Sequence, residues 1–322
     1  MKAPFKYFGG KSRAAPMIWD ALGDPGGYVE PFAGSAAVLL ARPEFAGRRV
    51  ETINDADGWL VNMWRAVKYS PDEVVKFADG PVMEIDYHAR LAWLHERRSE
   101  GLVAWLEGDP ENHDPKAAGW WLYVMANGIG DPFGGGPWRV VDGKLVRLDG
   151  DGVNGVIRQI PQLSTPGSGV LRSTFDETGP RTLEGYMRRL SARLSRVRVT
   201  CGSWERVLTP AVIRTKSGGD GSVGILLDPP YATSGDLYAH GDSDGSISGQ
   251  VREWCKTAPE SFRIVLCGYE GEHSELESLG WSCVEGKAGG KGYANDPLAN
   301  RRERLWMSPS CLSTLQESWV FD

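Results

Sequence analysis

The sequence predicts an α/β protein: a doubly wound sheet interrupted by an inserted, mostly helical and irregular module. Three observations predict it. Val223, Ile225, Leu226 and Leu227 form an apolar run with the length of a strand buried on both faces. Strand-like and helix-like segments alternate over residues 1–75 and 190–322, the two pieces of one discontinuous domain. Between them lies a module of residues 76–189, whose stretch 127–180 is rich in Gly, Pro and Asp, the composition of loops.

The elements follow in order. Residues 5–11 make a loop of aromatic, glycine and lysine residues, in which glycines permit close approach of backbone to a ligand. Lys11 offers a cation and Tyr7 a flat face. A helix is expected over residues 12–22. Tyr28 and Val29 belong to a first short strand. Glu30, Pro31, Phe32, Ala33, Gly34 and Ser35 then turn the chain into an apolar helix through Leu40. A ligand loop at a helix N-terminus has this build. Ala33 and Ser35 break the GxGxxG spacing, so a ligand with a free amino acid moiety is favoured over a pyrophosphate. A second strand ends at Asp55, about where such folds bind ribose hydroxyls. Asp55 or Asp57 fits that role; Asp57 also fits as N-cap of a helix over residues 59–68, so Asp55 is assigned the ribose and Asp57 the cap.

Residues 74–106 are expected to be helical, and residues 116–126 form an apolar helix bearing Trp120, Trp121 and Tyr123. A hairpin over 138–148 turns at Asp142-Gly143. A helix over 181–194 and a strand over 196–200 lead through Gly202, Ser203 and Trp204 to the Val223 strand. After it come a polar loop (232–248), a helix (249–258), a buried strand (262–267), a short helix (274–279), a strand (281–285), a basic loop (287–302) and a last strand (304–307).

The Val223 strand ends in Asp228-Pro229-Pro230-Tyr231. Neither proline can donate to a ladder, so the strand stops there. A carboxylate, a rigid corner and an aromatic ring thus gather at the C-terminal end of a central strand, where open α/β sheets bind ligands. This set suits methylation of an exocyclic amine on a planar base. Such an amine is a poor nucleophile because its lone pair is delocalised into the ring. Asp228 and the Pro229 carbonyl can accept hydrogen bonds from the NH2 and localise the lone pair, while Tyr231 stacks on the base. An ordinary strand ending in a proline turn would look the same in so short a motif.

Composition narrows the class. The chain has the apolar and charged fractions of a soluble globular protein and no apolar run of membrane-spanning length. Its N-terminus lacks a signal-peptide core, so a cytoplasmic location in a bacterial or phage-infected host is expected. Five scattered cysteines read as reduced core residues. Neither they nor His88, His95, His113, His240 and His273 show metal-ligand spacing, and no metal is expected. The net charge of −6 means a nucleic-acid partner must meet a local basic face.

Together these segments resemble the Dam-type, D12 class DNA adenine-N6 methyltransferases. KYFGGK, VEPFAGSAAV, INDADGWLVNMWRAVK and LLDPPY occur in that family's order, with a weaker likeness at RRERLWM. The resemblance covers about residues 5–75 and 190–307. It implies a Rossmann-like methyltransferase sheet, S-adenosylmethionine as cofactor and DNA as substrate. By the same resemblance, Tyr7, Phe8, Gly9 and Lys11 border the methionine end of the cofactor. Glu30, Pro31, Phe32, Gly34 and Ser35 form the floor of its site, and Asp55 takes the ribose. Ser203 and Trp204 lie near the cofactor adenine. Asp228, Pro229, Pro230 and Tyr231 bind and activate the amine of a base flipped out of the duplex.

The sequence departs from the family where DNA is read. LYVMANGIGDPFGGGPW keeps the helix but loses most of the family's Asn, Arg and Tyr groups, and Gly202-Ser203 replaces an acid often found there. No target sequence is carried over. Phosphate contacts are expected instead from two basic clusters: Arg139, Lys144, Arg147 and Arg158 in the hairpin region, and Lys287, Lys291, Arg301 and Arg302 in the late loop. Alternative readings are methylation of cytosine N4 or of an RNA base, and a catalytically inactive nucleic-acid-binding regulator. A nicotinamide oxidoreductase is disfavoured by the missing GxGxxG. No membrane partner is expected, and the oligomeric state stays open between monomer and weak dimer.

Overall fold

The computed structural model describes residues 1–5, 7, 9–43, 49–98, 101–109, 111–128, 138–141, 144–147, 182–213, 221–231, 246–286 and 303–312. Seven strands form one mixed sheet. They are β1 (Gly27–Glu30), β2 (Val50–Asp55), β5 (Val197–Cys201), β6 (Val223–Leu227), β7 (Phe262–Tyr269), β8 (Ser282–Glu285) and β9 (Glu303–Met307). Their order is β5-β2-β1-β6-β7-β9-β8. β1 pairs in parallel with β2 and β6, and β6 in parallel with β7. β9 runs antiparallel to both β7 and β8. The chain thus proceeds outward from β1 on one side, then returns to the other side at β6. That reversal makes the β1–β6 junction the topological switch point.

The described residues fall into two compact units. One holds residues 9–54 and, after residue 202, the rest of the described chain. Its central strands β1 and β6 are buried on both faces, which is why Val223–Leu227 reads as a continuous apolar run. Val29, Ile225, Leu227, Ile264 and Leu266 share one core with Trp204, Val251, Leu276 and Trp306. On the other face, Trp19 of α1 (Ala15–Leu22) lies 4.8 Å from Tyr28. Gly224 leaves room for Pro25, whose ring carbon would sit 2.9 Å from an added Cβ.

The second unit holds the N-terminal eight residues and residues 55–202. Its helices are α3 (Gly58–Tyr69), α4 (Pro71–Ala78), α5 (Glu84–Arg98), α6 (Leu102–Gly108), α7 (Pro115–Asn127) and α8 (Leu183–Leu194). The single helical stretch expected over 74–106 is therefore three helices. Gly80, at φ 143°, precedes Pro81 and ends the first; Gly101, at φ 74°, separates the next two. Asp114 caps α7 by accepting from the Ala117 N–H at 2.9 Å, and Thr182 caps α8 at Gly185. α7 packs closely on α4 through Gly119, where a Cβ would lie 2.6 Å from the Val74 carbonyl oxygen.

β3 (Trp138–Val141) and β4 (Lys144–Arg147) pair antiparallel, with Val141 opposite Lys144. Asp142 and Gly143, where the turn is expected, lie outside the described residues. The cysteines divide: Cys255 and Cys267 are core residues, Cys201 and Cys311 are half-buried, and Cys283 is exposed. Cys283 lies on the edge strand β8, which is exposed along most of its length, so its reading as a core residue is corrected. Among the described residues no helix is long and apolar enough to cross a membrane.

Candidate active site

β1 and β6 leave the sheet side by side at their carboxyl ends, and each carries one candidate loop. The first, Pro31–Ala36, is held by backbone geometry. Asn54 donates to the Pro31 carbonyl at 3.1 Å, and the Ala33 N–H donates to the Asn54 carbonyl at 2.9 Å. Gly34 has φ 46° and Ala36 φ 48°, and the Ala36 N–H returns to Ala33 at 2.6 Å. Ala36 bears a Cβ in left-handed backbone, a strain of roughly 1–2 kcal/mol. It also opens the short helix α2 (Ala37–Leu40). Glu30 is buried at the end of β1 and accepts from the Tyr28 hydroxyl at 3.1 Å. Burial and then the Glu30 charge push Tyr28 well above the ordinary phenol range.

Phe32 is half-buried on this loop and its ring lies 6.1 Å from Trp204, nearly parallel. Trp204 opens a 3-10 turn (Trp204–Val207) and meets Trp254 of the helix Ser246–Thr257 edge-on at 6.4 Å. Ser203 donates to Glu205 at 2.9 Å, and Ser35 is buried. Asp55 and Tyr7 belong to the helical unit. The Asp55 carboxylate accepts from the Asp57 N–H at 2.9 Å, and Asp57 caps α3 at the Trp59 N–H at 2.9 Å. The division of labour read between these two acids is realised as far as the cap. Tyr7 meets Phe5 edge-on at 6.0 Å. Phe8 lies outside the described residues.

The second loop carries the candidate catalytic residues. Asp228 is the first residue past β6, followed by buried Pro229 and half-buried Pro230. Its Oδ2 lies 2.8 Å from the Lys11 ammonium, and its Oδ1 accepts from the Tyr231 hydroxyl at 3.1 Å. Lys11 also lies 3.0 Å from Oε1 of Glu303 and donates to the Gly9 carbonyl at 2.7 Å. Three acceptors match the three ammonium hydrogens. The Tyr231 hydroxyl lies 3.0 Å from the same Glu303 oxygen. The Tyr231 ring sits under the Lys11 ammonium at 5.3 Å and against Tyr269 edge-on at 4.6 Å. Lys11 and Tyr231 are 5% and 4% exposed, so this is a nearly dry cluster of one cation, two acids and one phenol.

Burial raises the Asp228 carboxyl above the ordinary aspartate value, Lys11 opposes the rise, and the Glu303 charge adds to it. Burial likewise pushes the Cys267 thiol, on the adjacent β7, well above its usual range, so it carries no reactive thiolate.

Glu303 was not singled out in the sequence. Its signal is an acid heading an apolar strand within RRERLWM, but only the antiparallel register placing Glu303 opposite Tyr269 brings it to the β6 end. The hairpin residues Arg139, Lys144 and Arg147 lie on β3 and β4, while Arg158, Lys287, Lys291, Arg301 and Arg302 lie outside the described residues. A separate cleft of about 570 Å³, lined by Leu208, Val223, Trp254 and Phe262, opens at the opposite ends of β6 and β7 and is remote from this chemistry.

A parallel sheet whose switch point joins a left-handed small-residue turn to a carboxylate–proline–aromatic corner defines a doubly wound, cofactor-dependent α/β enzyme. Residues 7–82 match the family of D12 class N6 adenine-specific DNA methyltransferases. No curated protein matches the chain. The matched segment spans the first candidate loop, β2, α3 and α4, and ends before Asp228. Its reaction is adenine-specific methylation of DNA, and methyltransferases of this class typically use S-adenosylmethionine.

Proposed function

We propose that Asp228, with the Pro229 carbonyl, binds the N6 amine of an adenine held outside the base stack and prepares it for methylation. The observation that carries this reading is the position of a half-buried carboxylate, paired with Lys11, one residue past β6 and beside β1 at the switch point. An acceptor there takes a hydrogen bond from the amine and draws its lone pair out of the ring. The positive charge that grows on N6 during transfer is then stabilised by a fixed anion in low dielectric. The proton released from the methylated nitrogen leaves by way of the same carboxylate.

S-Adenosylmethionine, when bound, supplies an electrophilic methyl on a sulfonium sulfur. The residues proposed to hold it fit such a group. Gly34 and Ala36 bend the chain away from the carboxyl end of β1, and Glu30 and Phe32 stand beside that turn as buried acid and half-buried ring. Asp55, Ser203 and Trp204 are proposed for the ribose and adenine end, and Tyr7 and Gly9 for the methionine end. Pro31 and Ser35 act through the backbone of the turn.

Tyr231 is proposed to face the base. Its hydroxyl is engaged by Asp228 and Glu303, so stacking uses the ring while the hydroxyl fixes the ring plane. The adenine reaches this corner flipped or single-stranded, because a paired N6 cannot approach a methyl donor. Residues 76–189 are proposed as the target-reading module, with the basic clusters at 139–147 and 287–302 on phosphates.

Sequencing DNA from an expression host with modified-base detection tests the function. N6-methyladenine in one sequence context, absent with the Asp228→Asn variant, is the expected result. N4-methylcytosine, or no modified base, would refute it.

A further inference from the structure

We propose that Glu303 is a positioning residue that takes over Lys11 and the Tyr231 hydroxyl when Asp228 turns to the target amine. The inference rests on the reading of Asp228 as the amine's acceptor.

Asp228 has one partner on each oxygen. Oδ2 pairs with Lys11 at 2.8 Å and Oδ1 accepts from Tyr231 at 3.1 Å. Each oxygen keeps a second lone pair, but turning the carboxylate onto an N–H of the base loosens one or both of these contacts. Releasing Lys11 alone would leave an ammonium with a side chain only 4% exposed and no counter-charge, which is strongly unfavourable. Glu303 removes that obstacle. Its Oε1 already lies 3.0 Å from the same Nζ and 3.0 Å from the same hydroxyl. A phenol has one hydrogen, so Tyr231 serves one acid at a time, and Glu303 is its alternative acceptor.

The position is built for this exchange. Glu303 heads β9, held by the antiparallel register with β7, and its side chain is 12% exposed. Its carbonyl accepts from the Gly286 N–H at 2.9 Å, which ties the strand start on its other side. The charged and titratable groups around the two acids come from four further elements. They are Lys11 from the loop before α1, Glu30 from β1, Tyr231 after β6, and Cys267 and Tyr269 from β7. Among these described residues Lys11 is the cation, so the two acids compete for it.

The test uses the full chain with S-adenosylmethionine and an adenine-containing oligonucleotide. Glu303→Gln should lower single-turnover kcat by roughly 10- to 100-fold, the scale of one charge-assisted hydrogen bond, with cofactor affinity unchanged. Glu303 raises the Asp228 carboxyl, so the acid limb of the variant's pH–rate profile should move to lower pH. A merely structural role would not shift that limb. A second variant covers the case in which Glu303→Gln folds poorly. Lys11→Met/Glu303→Gln removes the cation and one acid together, and its kcat should fall below that of Lys11→Met by no more than about tenfold, the loss set by the Tyr231 hydroxyl's second acceptor.

A double variant more than about tenfold slower than Lys11→Met, or Glu303→Gln with wild-type kcat and an unmoved acid limb, would overturn the exchange. If Asp228→Asn is inactive in the same assay, that result leaves the Asp228 reading standing. If Asp228→Asn is active, the reading itself fails and Glu303's role falls with it.

Discussion

Replacing Asp228 by Asn should remove activity and stabilise the protein near neutral pH. The two effects come from one cause. Asp228 is a carboxylate held out of water, and its 2.8 Å contact with Lys11 does not fully compensate the loss of hydration, since burial outweighs Lys11 in setting its protonation. Its folded-state pKa therefore lies above the unfolded value near 3.8. The sign follows: a raised folded pKa favours folding fully below the unfolded pKa and loses that contribution as pH rises through the folded one. Above both values the charge is a net cost, and Asn lacks it. Lys11 keeps Glu303 at 3.0 Å in the variant, so no buried ammonium is stranded. The melting temperature of Asp228→Asn should thus exceed that of the parent at pH 7, with the gap closing as pH falls towards 3.8. Catalysis moves the other way. Losing one fixed acceptor of developing charge costs about 2.7–4 kcal/mol, or roughly two to three decades in rate. Single-turnover transfer of a labelled methyl group reads the rate, and thermal melts across pH read the stability. Near wild-type turnover would refute the catalytic reading, and a melting gap of opposite sign at pH 7 would refute the desolvation argument.

Three further outcomes are expected. Asp55→Ala should weaken S-adenosylmethionine binding about tenfold or more, as loss of a charge-assisted hydrogen bond requires; calorimetry showing unchanged affinity would move the ribose to Asp57 or elsewhere. Tyr231→Phe removes only the hydroxyl that spans Asp228 and Glu303, and should lower kcat by about three- to tenfold. Tyr231→Ala also removes base stacking worth roughly 1–3 kcal/mol, so equal damage from both would assign the role to the hydroxyl alone. Replacing Lys287 and Lys291 should weaken DNA binding without changing sequence preference and lower the salt slope by about 0.9 per lost contact. Changes at Arg139 or Arg147 should instead alter which sequence is methylated, and identical methylation patterns would count against the hairpin as a reader.

What was legible in the sequence is what short-range physics decides. Two prolines end β6 wherever the strand sits, so the Asp228 corner could be placed before any sheet order was known. Asp57 caps α3 through its own neighbourhood, and the pairing of 138–141 with 144–147 was legible from alternation around a turn signal. The three-way break of 74–106 was also local, in Gly80-Pro81 and Gly101, but the amphipathic pattern ran across both sites and masked it. Glu303 was not legible for a different reason. An acid beside three arginines in RRERLWM looks like a solvated surface charge, and only a pairing across seventy-odd residues buries it against Tyr231. The same holds for Lys11. Read alone, it borders a cofactor loop; its partners lie at 228 and 303, and no spacing rule links the three.

The charge of the cluster bears on how DNA must approach. With both acids ionised, Lys11 leaves one net negative charge at the mouth of the candidate site, and buried Glu30 adds to it nearby. A phosphate held 10 Å away in water would feel a repulsion of only about 0.4 kcal/mol per charge, but in a partly desolvated cleft with an effective dielectric near 20 this grows to about 1.7 kcal/mol. A neutral base suffers no such penalty and gains from an acceptor-rich pocket. On the proposed function, the site would favour a base presented ahead of its backbone, as a flipped or single-stranded nucleotide presents it. Attraction for the backbone must then come from elsewhere on a chain whose overall charge is −6. That requirement, rather than any feature of the site itself, is the ground on which the basic clusters at 139–147 and 287–302 are proposed to meet phosphates. It also predicts the form of their failure: neutralising those clusters should raise the KM for DNA steeply while leaving kcat at saturation near the parental value, because the acids that act on the amine are untouched.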